Sequence, residues 1–245
     1  MTNTILITGG TGKVGKQLVE HFYKNNYTVV FTSRTQENID KLINKRKNIY
    51  GIKVDLELEN AVDTILKFLN QKELSINYLI NNARSLDALK VEDDGTILDE
   101  YWHREYQIDV VLSYKLSLAL SKIDKLKKII NISSVYGISS FNPHLYEGEF
   151  KPLLQYACAK SALIQLTKCL AVLFAEKNIA VNCVTYGGIE GRVDQSFKNR
   201  YAELCPQKRM MKEEEVIGAV DFLINENSKY ITGQNIIVDG GWTIW

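Results

Sequence analysis

Short apolar runs alternate along this chain with longer stretches in which apolar side chains return every three or four residues. The runs cover 4–8, 27–31, 49–54, 76–80, 125–132, 179–184 and 235–238. Most are apolar without strict alternation, as expected of strands buried on both faces. Between them, helical spacing is visible after Gly15 (Leu18, Val19, Phe22) and over 38–47 and 61–69 (Val62, Ile65, Leu66, Leu69). It returns over 98–120, where an irregular start is expected, and over 153–175 and 216–224. Strands and helices taking turns at this pace predict an α/β fold, with a mostly parallel sheet of about seven strands and helices on both faces.

The first strand runs into Gly9-Gly10-Thr11-Gly12-Lys13-Val14-Gly15, and a helix follows. Glycines permit a tight turn and let the backbone approach a pyrophosphate at the positive end of the helix. The unit predicts a doubly wound, three-layer Rossmann-type fold, whose ligands gather at the carboxyl ends of the strands. The second strand ends in Thr32-Ser33-Arg34, without the carboxylate that commonly holds a ribose 2′-hydroxyl. Arg34 and Ser33 suit a 2′-phosphate instead, which favours NADP(H) over NAD(H).

Tyr156 and Lys160 are one helical turn apart and share a face. A phenol titrates near pH ~10, and a neighbouring ammonium favours its ionised form. The pair suits proton exchange with an alcohol or a carbonyl. Ser133-Ser134, at the end of the fifth strand, offers a hydroxyl at the same edge.

The 245 residues suit one domain, 1–245, with substrate loops at about 138–155 and 187–211. A formal charge of +1 gives no general attraction to nucleic acid or to an anionic membrane. No uninterrupted apolar run approaches the roughly 18 residues of a membrane span. The N-terminal stretch lacks the pattern of a signal peptide. Cys158, Cys169, Cys183 and Cys205 form no Cys-x-x-Cys pair, so no metal site is expected and a reducing, cytoplasmic setting is.

Taken in order, Thr8-Gly9 with Gly12 and Gly15, Asp55-Leu56, Asn81-Asn82-Ala83, Asn131-Ile132-Ser133-Ser134, Tyr156 with Lys160, Val181-Asn182, and Val238-Asp239-Gly240-Gly241 resemble the single-domain short-chain dehydrogenase/reductase family over nearly the whole chain. The resemblance implies that Ser134 holds the substrate oxygen, that Tyr156 is the general acid/base and that Lys160 holds the nicotinamide ribose. It implies cofactor contacts at Gly9, Thr11, Gly12, Lys13, Val14, Gly15, Asp55, Leu56, Asn82, Ala83, Gly187 and Ile189, and a homo-oligomer, tetramer or dimer, built on the long helices. Departures are Lys13 and Arg84 where the family has Gly, Tyr186-Gly187 for its Pro-Gly, and Asp109 for its catalytic asparagine. A charged Asp109 would cancel part of the Lys160 field and move the pH optimum upward.

The stretch between Ser134 and Tyr156 is long for the family and rich in polar groups. Tyr146, Glu147 and Gln155, with Arg192 and Asp194 further on, are expected to face a polyhydroxylated small-molecule substrate. Tyr146-Glu147-Gly148, Gly187-Gly188-Ile189 and the segment from Ser228 to Asp239 are similar to bacterial flagellin-modification oxidoreductases of this family. That similarity implies chemistry at a ring hydroxyl of an amino-sugar phosphate or nucleotide sugar. The alternatives are a general carbonyl or 3-oxoacyl carrier-protein reductase, which would need an apolar tunnel, and a non-catalytic NADP-binding sensor or scaffold.

Overall fold

A computed structural model describes residues 3–123, 125–191 and 193–244. Seven parallel strands form one sheet in the order β3-β2-β1-β4-β5-β6-β7. They are β1 Thr4–Ile7, β2 Thr28–Ser33, β3 Ile49–Lys53, β4 Tyr78–Asn81, β5 Lys128–Ser134, β6 Ala180–Tyr186 and β7 Asn235–Val238. The chain works outward from β1 to β3 and then returns to lay β4 against the other side of β1. Parallel pairing brings every carboxyl end to one edge, and the reversal opens a crevice between β1 and β4.

The α-helices are α1 Lys13–Lys24, α2 Gln36–Ile43, α3 Ala61–Gln71, α4 Asp99–Tyr106, α5 Ser113–Leu120, α6 Leu154–Leu173, α7 Gln195–Leu204 and α8 Ile217–Ile224. The period of two along a strand divides the core. Ile5, Ile7, Ile130 and Ile132 meet Leu18 and Phe22 of α1 and Val220 of α8 on one face. Leu6 and Ile129 meet Ile65 of α3, Leu116 of α5 and Leu170 of α6 on the other.

Four expectations need amendment. The helix expected over 38–47 ends at Ile43, because Asn44 turns left-handed (φ 37°) and caps it. The irregularity expected at the start of 98–120 lies in its middle: Gln107–Leu112 is a π-helical segment between α4 and α5. The fifth strand begins at Lys128 and includes both serines, which pair with Thr185 and Tyr186 of β6. The variable 187–211 stretch holds α7, whose first turn is capped by Asp194 Oδ1 accepting from Phe197 N at 2.7 Å.

By length and composition α6 is apolar enough to cross a membrane, although no uninterrupted run is. Its Gln155, Lys160 and Thr167 are buried, and it packs on β5 and β6, so in this fold it is a core helix.

Candidate active site

The glycine turn is fixed from three sides. Gly9 adopts φ +65°, where a side chain is strained, and a Cβ on Gly15 would lie 2.2 Å from the Gly9 carbonyl oxygen. Thr32 receives the Gly9 N–H on Oγ1 at 2.9 Å and the Gly10 N–H on its carbonyl at 3.0 Å. Thr8 Oγ1 accepts from the backbone of Asn82 and Ala83, while Asn82 Nδ2 donates to the carbonyls of Thr8 and Gly9. The Asn82 side chain therefore braces the turn. These contacts leave the first turn of α1 bare toward the crevice, a suitable seat for a pyrophosphate.

A cavity of about 740 Å³ extends from this turn across the sheet edge. Gly9, Thr11, Gly12, Lys13, Val14 and Gly15 line its floor. Ser33, Arg34, Asp55, Leu56, Asn82 and Ala83 line one end. Ser134, Tyr156, Lys160, Gly187 and Ile189 line the other. The whole shape and its bare helix terminus fit a dinucleotide lying from the β2 tip to β5.

Ser33 Oγ and Thr11 Oγ1 are 3.0 Å apart, which joins the β2 tip to the glycine turn. Arg34 Nη1 donates to Asp87 at 2.6 Å and remains half exposed. Lys13 leans toward Glu213, 3.6 Å away. Each of these cations already has a carboxylate neighbour that an incoming phosphate must rival.

Lys160 is buried. Its Nζ donates to Asp109 Oδ1 at 2.9 Å and to the Ile132 carbonyl at 3.0 Å. Ser133 Oγ returns a bond to the Lys160 carbonyl at 3.1 Å. Strand β5 and helix α6 are thus joined twice, at the two residues just before Ser134. Burial opposes the ammonium, yet the Asp109 charge and hydrogen bond hold Lys160 above its ordinary pKa. The Tyr156 ring centroid lies 5.8 Å from Lys160 Nζ and also 5.8 Å from Arg84 Cζ, so a second cation faces the phenol. Ser134 Oγ accepts from Tyr136 N at 3.3 Å. Asp109 itself is behind Lys160, buried and outside the cavity lining.

The inserted loop behaves differently from its composition. Tyr146 lines the cavity as expected, and its hydroxyl is 2.7 Å from that of Tyr136. Tyr136 stacks on Phe141 with ring centroids 3.9 Å apart. Phe197 meets Tyr146 edge-on, and Tyr201 stacks on Trp242. Glu147 is not in the cavity: it is exposed and bonded to Arg200 and Ser196 of α7. Gln155 is also not a lining residue. It is fully buried and its Nε2 donates to the carbonyls of Ala88 at 2.8 Å and Lys90 at 3.0 Å. A loop with aromatic and charged members turns the aromatic ones inward and leaves the charges hydrated. The end of the cavity expected to face substrate is therefore aromatic, where sequence composition suggested polar. Arg192 lies outside the described residues.

Sequence reading passed over Phe141 as a wall, Arg84 as a cation at the mouth, and Glu105 behind Asp109. Of these only Arg84 left a signal, as a charged residue in place of glycine.

The sequence profile described as Enoyl-(Acyl carrier protein) reductase matches residues 12–243. The chain belongs to the short-chain dehydrogenase/reductase family and is an oxidoreductase. Among similar proteins is the 3-oxoacyl-[acyl-carrier-protein] reductase FabG of Buchnera aphidicola subsp. Schizaphis graminum, 31% identical over 97% of this chain and 96% of that one. Post-translational flagellin modification protein A of Campylobacter coli is 26% identical, with 97% of each covered. Of solved structures, a short chain dehydrogenase from Leptospira borgpetersenii with bound NAD+ superposes with a TM-score of 0.87 at 29% identity, covering 99% of this chain and 93% of that one. ElxO with NADP bound gives 0.83 at 29% identity, with 100% of each covered.

Proposed function

We propose that this protein interconverts a secondary alcohol and a ketone with a nicotinamide cofactor. The observation that carries the reading is the shared cavity: Ser134, Tyr156 and Lys160 open into the same space as the glycine turn. When bound, the cofactor supplies the acceptor or donor of hydride. Tyr156 exchanges the proton on the substrate oxygen, and Ser134 holds that oxygen in place. Lys160, fixed by Asp109 and Ile132, holds its positive charge 5.8 Å from the Tyr156 ring centroid. The floor residues from Gly9 to Gly15, with Asn82 and Ala83, seat the nucleotide.

NADP(H) is the preferred form in this reading, since Arg34 is the charged group at the β2 tip. Arg34→Ala should weaken NADP binding more than NAD binding in titration calorimetry, by roughly tenfold. Equal losses would remove the assignment.

For the substrate we favour an amino-sugar phosphate or a nucleotide sugar used in bacterial surface glycans. A sugar ring has an apolar face suited to Tyr136, Phe141 and Trp242, and hydroxyls suited to the Tyr136 and Tyr146 phenols. Arg84 has no ion-pair partner among the described residues and offers charge to a phosphate. The flagellin modification relative agrees with this reading. A 3-oxoacyl carrier-protein substrate is the second reading, favoured by the FabG relative and by the apolar lining. Free cysteines, two exposed and two buried, agree with a reducing compartment such as the cytoplasm.

Steady-state kinetics with amino-sugar phosphates, nucleotide sugars and 3-oxoacyl thioesters decides among these. The first group should give the highest kcat/KM, and Tyr156→Phe should lower it by about 10²–10⁴. Cofactor binding without turnover on any of them would favour the sensor or scaffold instead.

A further inference from the structure

Glu105 has no part in the site described above, yet its condition is unusual. It lies on α4, four residues before Asp109, and is fully buried. Neither of its carboxyl oxygens meets a hydrogen-bond donor. Asp109 Oδ2 is likewise without a donor, although Oδ1 accepts from Lys160. Three acceptor atoms are thus orphaned beside a single buried ammonium.

The charged groups that face Glu105 come from four elements. They are Asp109 on the π-helical segment, Lys160 on α6, Arg84 after β4 and Glu57 after β3. Glu57 is already committed to Arg104, at 2.7 and 3.2 Å. Arg84 is exposed, so water screens it. The nearby balance is two carboxyls against Lys160. Two carboxylates sharing a dry region do not both ionise cheaply. An ionised carboxyl only accepts hydrogen bonds, whereas a protonated one also donates. A proton on Glu105 therefore removes one charge from this dry region and turns an acceptor-only group into one that can also donate.

We propose that Glu105 and Asp109 hold one proton between them, and that this acid–carboxylate pair sets the charge behind Lys160, which makes Glu105 a positioning residue for the proton chemistry at Tyr156. The geometry is supported by the pKa of Glu105, which burial first and the Asp109 charge second push up to about 8. Loss of the shared proton to solvent adds a negative charge facing Lys160. Its field at Tyr156 weakens, and alcohol oxidation slows. The catalytic consequence rests on the roles given to Tyr156 and Lys160 above; the shared proton does not.

Infrared difference spectroscopy of the full-length protein reads the proton without turnover. The wild type should show the carbonyl band of a buried carboxylic acid at neutral pH, fading through about pH 8. Glu105→Gln should lack the band, and Glu105→Asp should retain one. Asp109→Asn should move the fading downward by about one pH unit, because the like charge is gone. In parallel, kcat/KM for oxidation should carry an ionisation near pH 8 that Glu105→Gln loses and Glu105→Asp regains. If Glu105→Gln does not fold, the Asp109→Asn shift alone decides. No acid band in the wild type, a band surviving in Glu105→Gln, or an unmoved Asp109→Asn overturns the shared proton. A pH–rate profile indifferent to Glu105, with the band as described, overturns the positioning role. Should every substrate fail while the band behaves as stated, the functional reading falls and the shared proton stands.

Discussion

At the scale of single residues, the least comfortable group in the molecule is Glu105. Its pKa is raised from the ordinary 4.5 to about 8, mainly by burial. The folded chain therefore keeps a proton that the unfolded chain has lost above pH 4.5. By linkage, this contribution to stability is complete below that value, declines as pH rises, and is gone by about pH 8. The interval corresponds to at most about 5 kcal/mol, and relaxation around the site will reduce it to a few. Thermal melts should show the wild type losing stability from pH 5 to 8 by more than Glu105→Gln does. Parallel slopes for the two proteins would contradict the assignment.

At the scale of elements, one amide holds a long loop. Gln155, at the start of α6, donates to the Ala88 and Lys90 carbonyls and so pins the chain between β4 and α4. Gln155→Leu removes both donors and leaves two carbonyls to find other partners, at about 1–3 kcal/mol in stability. Hydrogen exchange around 84–92 should rise in that variant while exchange in β5 stays slow; unchanged exchange in the loop would deny the anchoring role. The same residue shows where sequence reading stops. Periodicity and the glycine spacing gave the strands, the helices and the crevice, because buried strands and a tight turn impose local rules. That Ser134, Tyr156 and Lys160 would share one edge was legible for the same reason, since they lie at a strand end and on a helical repeat. Gln155 and Glu147 were misread because nothing local tells a polar side chain whether it will cap a distant loop or pair with a neighbouring helix. The inward turn of Tyr146 depends likewise on Phe197 of α7, far along the chain. The π-helical segment is a register shift that apolar spacing tolerates, so the sequence pattern puts the irregularity expected in 98–120 at its start and not in its middle.

At the scale of the whole molecule, apolar side chains remain uncovered. Val172 and Leu173 on α6 are 79% and 55% exposed, and Phe222 on α8 is half exposed. Ile237 on β7 also faces outward. We expect a second copy of the chain to cover these surfaces. Val172→Glu should shift sedimentation toward a smaller species, and a wild type that sediments as a monomer at micromolar concentration would dismiss the expectation. Beneath that surface, the mutual stitching of β5 and α6 has a consequence for how such a protein changes. Ser134, Tyr156 and Lys160 keep their spacing from the sheet outward, without help from the segments at the rim. In the proposed reaction, aromatic walls can therefore be exchanged over generations to suit a new molecule while the three groups underneath are inherited intact.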